Sequence, residues 1–156
     1  MRSIVKDKPR HRAQAERFLR LYELPLTERV RLIEDRVKAR VFKDMVADMA
    51  MSQKGLAELL RIPVATVNRK AMNDDLLSID ESERVLNLFA LIGQVQKMVA
   101  ESDHAEDFDA PKWVAHWIEE PLPALGGKRP AEFLHTASGF IIVSDVLSAM
   151  QSGAYL

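Results

Sequence analysis

The residues best suited to acid–base chemistry or metal ligation near neutral pH are four histidines, His11, His104, His116 and His135, scattered along a chain of 156 residues. No His-x3-His pair occurs, and with no cysteine there can be no disulfide, thiolate nucleophile or cysteine-type zinc site. His116, beside Trp117, reads as a packed side chain. Gly126-Gly127-Lys128 has the glycine–lysine step of a phosphate loop, but the upstream Walker glycine is absent and no Ser or Thr follows Lys128. The sequence predicts no catalytic residue, no metal and no cofactor.

What remains is the chemistry of binding, and charge limits where it can lie. Lys and Arg number 22 against 23 Asp and Glu, so any attraction to nucleic acid must be local. One local excess is Arg2, Lys6, Lys8, Arg10, Arg12, Arg17 and Arg20, opposed only by Asp7 and Glu16. Residues 1–26 are thus a basic N-terminal arm, either a solvated tail or a DNA-backbone contact. That arm has no apolar stretch of signal-peptide length, and no later run approaches the roughly 20 residues of a membrane span. A cytoplasmic protein without a membrane partner is expected.

Gln53 to Lys70 resembles the helix-turn-helix of Xre-type regulators. Ala57 stands where the two helices cross closely, and Leu56, Leu60, Ile62 and Val67 fall at the buried positions of that motif. The resemblance makes Val64 to about Met72 the recognition helix, its N-terminal part entering the major groove. Ala65, Asn68 and Arg69 would then face the bases, Asn pairing in bidentate fashion with adenine and Arg with guanine. Gln53 and Lys70 would meet phosphates, and Lys54 and Arg61 add local positive charge. Arg61 replaces the glycine usual in the turn, and Pro63 replaces the usual Ser or Thr cap of the second helix. One copy reads a half-site, so DNA binding implies a homodimer or larger assembly. A purely structural helical hairpin is the alternative.

The elements around the motif are helical. Val30, Ile33, Val37, Val41, Met45, Val46 and Met49 recur at threes and fours from Thr27, a possible cap, towards a break near Met51 and Ser52. Ser52 suits the N-cap of the next helix, and Ser78 with Glu81 has the form of a capping box. Ser82 to Ala100 is apolar around most of its circumference, so it is buried on several sides or meets another subunit. The acidic stretch from Glu101 to Asp109 marks a domain boundary, dividing a domain at 27–100 from one at 101–156.

In the last third, Pro111 to Glu119 reads as helical, followed by the corner Pro121-Leu122-Pro123-Ala124-Leu125-Gly126-Gly127-Lys128-Arg129-Pro130. The prolines stop the helix, and Gly126 and Gly127 supply positive φ. A helix from Pro130 to about His135 and another from about Ser138 to Ser152 follow, with Gly153 suited to the stop.

Trp117-Ile118, this corner, Phe133-Leu134-His135-Thr136, Gly139 and Gly153-Ala154-Tyr155 resemble, in that order, the toxin-binding domain of the Xre/MbcA/ParS antitoxins, partners of RES-domain toxins. The resemblance implies an all-α fold, an Xre-like helix-turn-helix bundle followed by a small helical toxin-binding domain. It further implies an antitoxin that inhibits a NAD-degrading RES toxin and directs the complex to its operator DNA. Lys128, Arg129, Gly153, Ala154, Tyr155 and Leu156 would form the toxin-binding surface, with Tyr155 as anchor. The alternative is a helix-turn-helix transcription regulator without a toxin partner.

Overall fold

A computed structural model describes residues 8–102 and 107–153, and the described residues are helical apart from turns and one isolated bridge. The order is α1 (Lys8–Glu23), α2 (Leu26–Asp35), α3 (Ala39–Met49), α4 (Gln53–Leu60), α5 (Val64–Met72), α6 (Ile79–Ala100), α7 (Ala110–Trp117) and α8 (Ala137–Ser152). All-α architecture is as the sequence predicts.

Helix α6 is the axle of the molecule. It starts at a complete capping box, in which Ser78 Oγ accepts from the Glu81 backbone N–H at 3.1 Å and Glu81 Oε2 accepts from the Ser78 N–H at 2.8 Å. Every residue from Val85 to Gln96 is buried, because α1, α2, α4, α7 and α8 all pack on it. Burial on several sides within one chain accounts for an apolar circumference that had also fitted a subunit contact.

Much of the basic N-terminal segment is a docked helix. Phe18 and Leu21 of α1 enter the core, and the Phe18 and Phe89 rings lie 4.2 Å apart. Gly93 of α6 makes the crossing possible, since a methyl group there would overlap the Phe18 carbonyl oxygen. Arg17 lies over both rings and reaches Asp48 of α3 at 3.1 Å. Burial pushes the Asp48 carboxyl up from its ordinary value, and Arg17 pulls it partly back.

The apolar run from Thr27 to Met49 is two helices rather than one. Leu26 opens α2, Pro25 is its N-cap, and Thr27 caps nothing. Arg36 takes a φ of 61° between α2 and α3. The released backbone is satisfied from afar: the Val37 N–H donates to Ser82 Oγ at 3.0 Å, and its carbonyl accepts from the Leu77 N–H at 2.8 Å. The Ala39 N–H donates to the Asp75 carbonyl at 3.0 Å. These partners lie some 36 to 45 residues on, beyond the reach of a periodicity argument.

Candidate functional site

The helix-turn-helix is built as its residues dictate. Ser52 Oγ accepts from the Gly55 N–H at 2.9 Å, and Leu56, Ala57, Leu60, Ile62 and Val67 are buried. Arg61 adopts the left-handed conformation, φ 55° and ψ 43°, that glycine would favour. It is retained because Ile62 and Arg61 donate to the carbonyls of Ala57 and Glu58 and close the end of α4. Pro63 starts α5 with no side-chain cap, again as its type requires.

On the outer surface Ala65, Asn68 and Arg69 are exposed together on α5. Asn68 Oδ1 accepts from Gln53 Nε2 at 2.7 Å and from Lys43 Nζ at 2.8 Å. Lys43 comes from α3 and carried no local signal, since it lies 25 residues from its partner. Lys54 is exposed, 3.9 Å from Glu58. Lys70 turns away from its neighbour Arg69 and donates to Glu81 Oε2 at 3.0 Å, with both side chains mostly covered. Burial acts to raise the Glu81 carboxyl, but the Ser78 N–H and the Lys70 ammonium outweigh it and hold the group below its ordinary range.

The second surface begins at α7, where Asp109 caps the helix and Trp113 stacks on Trp117 at 5.7 Å and 13°. Trp117 and Ile118 are buried, and Trp113 is half-buried. The corner after them is closed by its own backbone. Leu122 donates to the Lys128 carbonyl at 3.0 Å and accepts from the Gly127 N–H at 2.9 Å, while Ala131 donates back to Ile118 at 2.9 Å. Gly126 and Gly127 have φ of 65° and 82°, the left-handed values that glycine adopts most readily. Arg129 reaches Glu119 at 2.7 Å and Glu132 at 3.8 Å, bracing the corner, whereas exposed Lys128 forms no ion pair among the described residues.

Pro130 starts only a 3-10 turn, Pro130–Glu132, in place of the predicted helix to His135. The chain then returns at once, and Gly139 of α8 lies so close to this turn that a methyl group on it would overlap the Phe133 carbonyl oxygen. Thr136 caps α8, Gly153 ends it with a φ of 70°, and Ile141 and Ile142 stand exposed in its first half. Ala154, Tyr155 and Leu156 lie outside the described residues.

The two surfaces are those of a helix-turn-helix protein with a second, compact helical module. Residues 28–90 match the family model of the antitoxin Xre-like helix-turn-helix domain, and residues 105–153 that of the antitoxin Xre/MbcA/ParS C-terminal toxin-binding domain. The chain is also 42% identical over 135 residues to the Prs ADP-ribosylating antitoxin of Sphingobium sp. (strain YBL2), covering 86% of this chain and 85% of the relative. This chain belongs to the Xre/MbcA/ParS antitoxins of toxin–antitoxin systems, and its C-terminal domain implies a toxin partner. No helix among the described residues is long and apolar enough to cross a membrane.

Proposed function

We propose that this antitoxin binds and inhibits a RES-domain toxin that consumes NAD, and that it represses its own operon as a dimer through α4 and α5. The observation that carries the toxin reading is the braced corner, with Lys128 exposed on it, in a segment matched to a toxin-binding domain. Such a surface loses little entropy on docking because its backbone is already fixed. Lys128, Arg129 and the stretch Gly153, Ala154, Tyr155 and Leu156 contact the toxin. Tyr155 supplies an aromatic anchor for the contact. The name of the Sphingobium relative supports an NAD-linked partner, since ADP-ribosyl transfer breaks the same nicotinamide–ribose bond as NAD degradation. NAD in this scheme is the toxin's substrate, and the antitoxin acts by binding, without catalysis of its own, in the cytoplasm.

Co-expression with an adjacent RES-domain reading frame, followed by measurement of cellular NAD, tests the proposal. NAD should hold at the level of toxin-free cells, and deletion of Gly153 to Leu156 should abolish protection while the circular dichroism spectrum is unchanged. Undiminished NAD loss in the presence of folded, abundant antitoxin would overturn it.

A further inference from the structure

Asn68 is the central exposed polar side chain of α5, and its amide is held by two donors. Lys43 Nζ lies 2.8 Å from Oδ1, and an ammonium has only hydrogens to offer, so the atom facing it must be the oxygen. Gln53 Nε2, 2.7 Å from the same oxygen, occupies its second lone pair. Bidentate pairing with adenine needs one open acceptor and one open donor on the amide. Here the acceptor is taken, and of the amide's hydrogen-bonding groups only the Nδ2 hydrogens remain uncommitted among the described residues.

We infer that Lys43 and Gln53 fix Asn68 as a donor-only reader, so that it favours guanine, whose major-groove edge presents two adjacent acceptors, N7 and O6, over adenine, where the N6 amino donor stands beside N7. The ammonium of Lys43 reinforces the choice, since it adds positive charge beside the same edge. Lys43 is therefore a positioning residue for recognition although it lies on α3, outside the helix-turn-helix. The inference rests on the operator-binding reading above.

Selection from a randomised duplex library by the 156-residue chain, alone and with its toxin, tests it. The parent defines the preferred half-site, and Asn68→Ala identifies the position that Asn68 reads as the one whose preference flattens. At that position the parent should favour guanine over adenine by roughly tenfold, the size of a good base contact. The double variant Lys43→Met, Gln53→Ala frees Oδ1, and the ratio should fall to parity or invert in favour of adenine. Because the readout is a ratio, any general loss of phosphate contacts cancels. Lys43→Met alone, which removes one exposed side chain, should give an intermediate ratio and serves if the double variant fails to fold. An adenine preference in the parent, or an unchanged ratio in the variants, overturns the inference while leaving DNA binding intact. Failure of the parent to enrich any sequence, with or without toxin, removes the operator reading and this inference with it.

Discussion

Adjacent residues on α5 have opposite duties. Arg69 is exposed and Lys70 is committed to Glu81, so the first is open to a partner while the second ties α5 to the start of α6. Arg69→Ala should weaken operator binding by about 1–3 kcal/mol and leave toxin affinity unchanged, as read by fluorescence anisotropy and by toxin titration. Equal operator affinity would make Arg69 a solvated charge. Glu81 belongs to stability instead. The folded state holds it below its ordinary value of 4.5, so its ionised form favours folding at pH above that value. The contribution is lost as pH falls through the lowered folded value. Glu81→Gln keeps the cap geometry and removes the charge, so its unfolding free energy should decline less steeply than the parent's below about pH 5. Parallel slopes for the two proteins would exclude Glu81 as a source of acid sensitivity.

Helix α1 shows how one element can be misjudged by its charges. Its arginines face outward while Phe18 and Leu21 fill the core beside α6, and Gly93 allows the two backbones to meet. Gly93→Ala should cost about 1–3 kcal/mol, because the methyl meets the Phe18 backbone and the Tyr22 Cβ, neither of which can swing aside as the end of a flexible side chain would. Limited proteolysis should then cut α1 first. A melting curve identical to the parent's would mean that the helices separate without cost. The break between α2 and α3 was equally hidden, since the periodicity of Val30, Ile33, Val37 and Val41 runs straight through it. Its determinants are Ser82, Leu77 and Asp75, which supply hydrogen bonds from the far side of the helix-turn-helix. At α4 and α6, by contrast, Ser52 and Ser78 act within three residues of themselves, and their caps form as local chemistry predicts.

The helix-turn-helix and the toxin-binding domain meet along α6, and the seam holds a polar knot. Gln94, nearly fully buried, donates to the Ser144 carbonyl at 3.0 Å and to Ser148 Oγ at 3.1 Å, and accepts from Ser144 Oγ at 2.8 Å. Gln94→Ala would leave Ser144 and Ser148 without these partners in a half-covered seam. Amide hydrogen exchange in α8 should rise about tenfold or more, with α5 less affected, because the loss falls on the α6–α8 contact. Uniform exchange in both helices would show that the knot adds nothing local. Helix α6 also packs against α1 and α4, so one element joins the N-terminal helix, the helix-turn-helix and α8.

By itself the sequence determined what short-range chemistry can determine. It specified the all-α class, the caps at Ser52 and Ser78, the left-handed glycines of the corner, the buried Leu56, Leu60, Ile62 and Val67, and the family resemblance those residues carry. Each rests on residue type and on neighbours a few positions away. Only the tertiary structure decided that α1 is docked, that Pro130 begins a single turn, that Arg129 is braced between Glu119 and Glu132, and that Lys43 and Gln53 hold Asn68. The docking of α1, the Arg129–Glu119 pair and the hold on Asn68 depend on groups 10 or more residues apart in sequence, brought together by burial of apolar surface that periodicity detects without saying what will cover it.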